Sequence, residues 1–243
     1  MSLFESMPID DCHLQLARID IWEFPLDLLP ETAISLLDEK ERAQANRFYF
    51  SHHQRRFTVA HAMLRAILAR YLGESADALV ITYGPHGKPQ VRNSCHLEFN
   101  LSHSGDLALL AIGQHLPLGI DLEFFSARPY EGIAKYLFSK NEVAAFCSLP
   151  NYLTPVAFFH LWTQKEAFIK ACGLGLSYPT KTFSVPVIMP PTNSRVADSL
   201  HQTEWQITSF MPKAGCCAAL CFHPEVQQIR YEIVNPLAFL HTK

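Results

Sequence analysis

Residues 96–124 read HLEFNLSHSGDLALLAIGQHLPLGIDLEF, and their period decides the fold. Leu97, Phe99 and Leu101 point one way while His96, Glu98, Asn100 and Ser102 point the other, the two-residue alternation of a half-buried strand. His103-Ser104-Gly105-Asp106 turns the chain. Leu107 to Ile112 is a continuous apolar run, consistent with a buried hairpin partner. After Gly113 a further alternating strand runs through Leu116, Leu118, Ile120, Leu122 and Phe124.

Outward from this core the period changes to that of helices. Leu36 to Phe50 reads as a charged helix, and Gln54 to Leu72 as a second one that stops at Gly73. Val80 to Tyr83 is a short strand, followed by the turn-rich Gly84 to Pro89. Ser139-Lys140-Asn141-Glu142 has capping-box spacing, and Thr154-Pro155 opens a long helix that runs to Cys172 and ends at Gly173. Thr182 to Ile188, a Pro-rich loop (MPPTNS) and late strands around Trp205–Phe210, Cys217–Phe222 and Ile229–Ile233 complete the chain. A long helix ending in Gly, then a loop and strand, occurs in both halves. The expected fold is therefore α+β, two similar α/β lobes forming a pseudo-dimer. Each lobe is a small, mainly antiparallel sheet on a long helix, residues 1–115 and 116–243.

The 243 residues carry 20 Lys plus Arg against 23 Asp plus Glu, a net charge of −3. That balance argues against a nucleic-acid binder, whose affinity rests on many cations, but not against a small anionic ligand in one pocket. The seven cysteines, at 12, 95, 147, 172, 216, 217 and 221, form no C-x-x-C, and several fall in apolar runs. They read as free thiols of a reducing compartment. Met1 to Arg18 has no apolar signal segment, and no stretch approaches membrane-span length. The expectation is a cytoplasmic protein with no membrane partner.

Asp121 and Glu123 lie on one face of the strand Leu118 to Phe124, about 6.5–7 Å apart along the chain. Two adjacent carboxylates either flank a cation or line a solvated acidic edge. On the helix 155–172, Lys165 falls in the middle of an apolar face with Phe158, Leu161, Trp162, Phe168, Ile169 and Cys172. It either snorkels to solvent or points into a cleft holding an anion. Glu166 sits at the margin of that face, and with Lys170 it has the spacing of an ordinary helix-stabilising pair. Together, three carboxylates and two lysines suit a Mg²⁺–pyrophosphate complex, in which the metal takes one or two carboxylates and phosphate oxygens. His103 at a strand end is either a phosphate donor or a turn residue. Lys88 sits in a tight Gly87-Lys88-Pro89 loop. Arg47, Arg55 and Arg56 cluster on the N-terminal helices, as phosphate forks or as a solvated face.

In order along the chain, Gly119-Ile120-Asp121-Leu122-Glu123 and Trp162-Thr163-Gln164-Lys165-Glu166-Ala167-Phe168-Ile169-Lys170 resemble the G-[IV]-D and [FW]-x-x-K-E-[AS]-x-x-K motifs of the phosphopantetheinyl transferase superfamily. Arg47-Phe48-Tyr49, Gly87-Lys88-Pro89 and Phe99 to Ser104 match its two-lobed, surfactin-synthetase-activating branch, so the similarity spans about Leu36 to Phe183. The resemblance implies transfer of the phosphopantetheine arm of coenzyme A to a serine of an apo carrier protein by a monomeric, Mg²⁺-dependent enzyme. It implies Asp121, Glu123 and Glu166 as metal ligands, and Glu166, Lys170 and His103 as catalytic residues. Ser102, His103, Lys170 and the nearby Lys165 would meet the pyrophosphate. Arg47, Arg55, Arg56 and Lys88 would hold the adenosine and 3′-phosphate end. One departure stands out: where that branch carries lysines before Arg-Phe-Tyr, residues 38–46 read DEKERAQAN, leaving Lys40 or Arg42 as substitutes. Two rivals use the same pocket, a metal-dependent pyrophosphohydrolase and a coenzyme A-binding domain without chemistry.

Overall fold

The computed structural model describes residues 4–241 except 95, 189 and 199, so Cys95, Met189 of the Pro-rich loop and Met1 to Leu3 lie outside the described residues. In chain order the elements are β1 (Glu5–Ser6), β2 (Arg18–Pro25), α1 (Ala33–Leu36), α2 (Glu39–Ala45), α3 (Ser51–Leu72), β3 (Ile81–Tyr83), β4 (Pro89–Val91), β5 (Leu97–Ser104), β6 (Leu107–Gln114) and β7 (Leu118–Phe124). There follow α4 (Tyr130–Leu137), α5 (Lys140–Cys147), α6 (Thr154–Cys172), β8 (Thr192–Asp198), β9 (Thr203–Phe210), β10 (Cys216–Phe222), β11 (Gln228–Ile233) and α7 (Pro236–Phe239). The single helix expected over 36–50 is instead the short α1 and α2, because Asp38 caps a new helix start through a capping box with Glu41. β1, β2, β4, α4, β8 and α7 were not legible as elements, and 183–188 is irregular.

Two large sheets result, of order β1-β11-β2-β6-β5 and β7-β10-β9-β8, beside the two-stranded β3-β4. They pack face to face, with α3 covering the first and α6 the second. Alternate side chains of one strand therefore enter different layers. On β6, Leu107, Leu109 and Ala111 enter the layer between the sheets, while Ala108, Leu110 and Ile112 pack toward α3. On β10, Cys216, Ala218 and Leu220 face the first sheet, while Cys217, Ala219 and Cys221 face α6. Burial on both faces explains why these strands read as unbroken apolar runs. The six described cysteines are all free. Both long helices end at a left-handed glycine, Gly73 (φ 66°) and Gly173 (φ 72°), as the sequence indicates. The chain passes from the first sheet to the second between β6 and β7 and returns at β11, which pairs in parallel with β2. No helix among the described residues is long and apolar enough to cross a membrane.

Two features bring the candidate residues together. β5 and β7 are edge strands of different sheets and lie side by side. On the face that carries Gly119, β7 meets α6 backbone to backbone: a Cβ built at Gly119 would sit 2.2 Å from Ala167 O and 2.4 Å from Ala171 N. α6 itself is buried nearly all round, because α4 and α5 cover its outer side.

Gly119→Ala forces β7 and α6 apart. The expected cost is about 1–3 kcal/mol, the usual penalty of overpacking, read as a lower urea midpoint at unchanged m. An unaltered midpoint would show that the strand and helix separate freely.

Candidate active site

Gly119, Asp121 and Glu123 occupy the α6 side of β7, because Leu118, Ile120 and Leu122 are committed to the layer between the sheets. One helical turn separates Glu166 from Lys170 on α6, and the register over Gly119 sets both against the acidic pair. Asp121, Glu123, Glu166 and Lys170 line one cleft of about 710 Å³, whose walls include Tyr136, Trp162 and Tyr178.

Asp121 is 6% exposed. Its Oδ1 accepts from Lys170 Nζ at 2.7 Å and Ser102 Oγ at 3.0 Å, while its buried Oδ2 has no hydrogen-bond partner. Glu123 Oε2 accepts from Ser104 Oγ at 2.8 Å. Burial, then the Asp121 charge, raises the Glu166 carboxyl above its usual value, with Lys170 opposing. Burial likewise raises Glu123, against the hydrogen bond from Ser104. A buried acid with an orphaned oxygen beside two acids held above their ordinary range has the donor set of a hard divalent cation. Lys170 spends all three of its hydrogens inside the protein, on Asp121, Ser102 and Ile120 O (3.1 Å). It is thus a bridge between β5, β7 and α6. His103, exposed at the end of β5, is held below its usual pKa by desolvation and then by the charges of Lys170 and His61, which leaves it neutral at neutral pH.

Lys88 lies in a smaller recess of about 190 Å³ that it shares with His86, Asn100 and Lys170, so Lys170 lines both cavities. Its Nζ donates to Leu118 O (3.1 Å) and Ala171 O (3.5 Å) and approaches Glu98 at 3.7 Å, fastening the 84–89 loop to the β7–α6 seam. Arg55 and Arg56 converge on Asp27, at 3.1 and 2.9 Å, and the Arg56 hydrogen bond contributes most to holding that carboxyl down to about 2. Arg47 is exposed and stands apart from the described lining of the cleft. Of the substitutes for the missing lysines, Arg42 donates to Leu37 O on its own helix start, and Lys40 is exposed.

Lys165 needs a correction. It neither reaches the pyrophosphate side nor snorkels to solvent: it is 3% exposed and faces away from the cleft. Its Nζ donates to Glu142 (2.8 Å) and Phe183 O (2.9 Å), and lies over the Phe183 ring. Glu142 also closes the α5 capping box on Ser139 and accepts from Val185 N–H. The capping box was legible in the sequence; that its acid also serves a lysine one layer away was not. The α6 register explains the swap, since consecutive residues 165 and 166 point about 100° apart.

Also missed was the function of the polar face of β5. Asn100 Oδ1 accepts from Ile120 N–H, Ser102 Oγ from Leu122 N–H and Ser104 Oγ from Phe124 N–H, at 2.8, 3.3 and 3.2 Å. The alternation at 100, 102 and 104 was the available signal; its partner strand was not. Among the described residues, the one group of His, Cys, Asp or Glu whose ligand atoms all lie within 4.8 Å of one another is Cys172, Asp198 and His201. There, however, Asp198 is already saturated by Tyr178, His201, Cys172 and two backbone N–H groups, unlike Asp121.

Acids and a lysine thus line one cleft between α6 and an edge strand. Comparison with known proteins gives the family. Residues 117–221 match the model of the 4′-phosphopantetheinyl transferase superfamily, and residues 24–115 match that of the 4′-phosphopantetheinyl transferase N-terminal region. The chain is 36% identical to 4′-phosphopantetheinyl transferase HetI of Nostoc sp. over 84% of its own length and 86% of that protein. It is 28% identical to 4′-phosphopantetheinyl transferase Sfp of Bacillus subtilis, over 83% and 91%. A mouse relative, L-aminoadipate-semialdehyde dehydrogenase-phosphopantetheinyl transferase, is 26% identical over 70% and 59%. The chain belongs to the 4′-phosphopantetheinyl transferase superfamily.

Lys165→Met leaves Glu142 buried without its cation, and the expected loss is about 3 kcal/mol or more. The Michaelis constant for coenzyme A of the folded enzyme should stay unchanged. A raised constant at wild-type stability would return Lys165 to the binding site.

Proposed function

We propose that the chain moves the 4′-phosphopantetheine arm of coenzyme A to a serine of an apo carrier protein, with Mg²⁺ as cofactor and Asp121, Glu123 and Glu166 as its ligands. The observation that carries this reading is the orphaned, buried Oδ2 of Asp121 in a cleft that Glu123 and Glu166 also line. When bound, Mg²⁺ would neutralise the diphosphate and stabilise charge developing on the bridging oxygen.

The serine hydroxyl forms a bond to the β-phosphorus of coenzyme A while the bond to the bridging oxygen breaks, releasing 3′,5′-ADP. Glu166 takes the serine proton. Burial raises its carboxyl in the metal-free protein. Lys170 sets its positive charge beside Asp121 and the phosphates. To touch a phosphate oxygen directly it would exchange one of its three present acceptors. His103, neutral and exposed at the end of β5, donates one hydrogen bond to the pyrophosphate, and Ser102 holds Asp121 in place. The recess around Lys88 takes the adenosine end, with Arg47, Arg55 and Arg56 toward the 3′-phosphate. Arg55 and Arg56 then act only after yielding part of their contact with Asp27. In this reading residues 1–115 form the coenzyme A lobe and residues 116–243 the catalytic lobe of a monomer, except that β11 and α7 return to the first sheet and its core. The free cysteines favour a cytoplasmic setting.

Asp121→Ala and Glu166→Gln should each lower transfer by about 10²-fold or more, measured as the mass gain of an apo carrier incubated with coenzyme A and Mg²⁺. Full activity in either removes the assignment. Coenzyme A hydrolysis without carrier would instead indicate a pyrophosphohydrolase, and binding without turnover a binding domain.

The raised Glu166 carboxyl also predicts a pH dependence. A carboxyl raised in the folded state contributes stability below its unfolded value, about 4.5, and loses it as pH rises through the folded value. In EDTA, the stability of Glu166→Gln relative to wild type should therefore grow with pH above about 4.5. A gap independent of pH would show that Glu166 is fully solvated.

A further inference from the structure

The two sheets meet edge to edge at β5 and β7, yet the strands do not pair through their backbones. Three alternate side chains of β5 replace the ladder. Asn100, Ser102 and Ser104 each accept one N–H of β7, at Ile120, Leu122 and Phe124. Two of them do a second thing. Ser102 Oγ sends its own proton to Asp121 Oδ1 at 3.0 Å, and Ser104 Oγ sends its proton to Glu123 Oε2 at 2.8 Å. The same unit, a serine that accepts from residue n+1 of β7 and donates to the carboxylate of residue n, thus occurs twice, two residues apart.

We propose that Ser104, with Asn100 holding the register, is a positioning residue that presents Glu123 to the divalent cation through a single oxygen. The proposal rests on reading Asp121, Glu123 and Glu166 as the cation's ligands. A hydroxyl that only satisfied an edge N–H would have its proton free to turn to solvent. Here the proton is aimed at a carboxylate oxygen, so each acid is left with one uncommitted oxygen, Oδ2 of Asp121 and Oε1 of Glu123. One oxygen from each acid leaves the other cation positions to phosphate and water, the habit of Mg²⁺. Fixing a ligand from outside in this way commonly accounts for about 10–100-fold in metal affinity. Asn100 contributes differently: its side chain, 6% exposed, pins Ile120 N–H at the start of the ladder. It thereby keeps Ser102 and Ser104 opposite residues 121 and 123.

The test uses Mn²⁺ as the probe, with free Mn²⁺ followed by electron paramagnetic resonance during titration of the full chain with coenzyme A present and no carrier. Thermal melts run in parallel. Ser104→Ala should weaken Mn²⁺ binding by about 10-fold or more in a protein that its melt shows to be folded at the assay temperature, and should raise the Mg²⁺ needed for half-maximal transfer. Ser104→Thr, which keeps the hydroxyl, should bind like the wild type. Wild-type affinity in Ser104→Ala, or equal losses in the Ala and Thr variants, would overturn the proposal. Asp121→Asn separates the two levels. If it loses Mn²⁺ while Ser104→Ala does not, only the positioning role fails. If it binds Mn²⁺ as the wild type does, the ligand assignment fails first.

Discussion

The site depends on how closely α6 approaches the edge strand β7. At Gly119 the strand has no side chain, and the helix fills the space with its own backbone at Ala167 and Ala171. Any Cβ would hold the two elements apart by more than an ångström. With the contact made, residues 121 and 123 on the strand and 166 and 170 on the helix line one cleft. Small residues elsewhere on the sheet, Cys217, Ala219 and Cys221 of β10, admit the helix along its length. Cysteine serves there as a compact apolar residue, which is its ordinary role in a core.

The same edge strand raises a second problem, because an unpaired edge exposes hydrogen-bonding groups. The molecule answers it with side chains: the β5 polar face takes the N–H groups, and Lys170 takes the carbonyl of Ile120. Those capping groups also hold the acids. Structural satisfaction and site geometry are therefore carried by the same atoms, and the polar cluster can be buried without orphaned groups except at the one oxygen, Asp121 Oδ2, that has a proposed ligand.

Much of this was legible in the residues. Period two over 96–124 and the Gly-terminated helices gave the architecture, and the spacing of Asp121, Glu123, Glu166 and Lys170 gave the cluster. Tertiary pairing was harder to read. Lys165 and Glu166 are neighbours in sequence and chemically alike as site candidates, but 100° of helix turn sends one to Glu142 and the other to the cleft. Arg55 and Arg56 read as free phosphate forks because Asp27, 28 and 29 residues away, carries no local signal. β2 carries no local signal because its partners, β6 and β11, lie far along the chain and leave it without a hairpin turn; β8 pairs with the next strand, β9, but lacks a regular apolar alternation. Residues 192–195 are polar at every position, and only the exposure of β8 alternates, as suits an outer edge.

The central claim is that the β7 acids and Glu166 hold one divalent cation beside the diphosphate of coenzyme A. The most direct measurement is paramagnetic broadening of assigned backbone amides by substoichiometric Mn²⁺ in the presence of coenzyme A. The account predicts selective loss of signal centred on residues 102–104, 120–124 and 165–170, not on Asp198 and His201. Broadening centred on Cys172, Asp198 and His201, or spread evenly over surface acids, would contradict it.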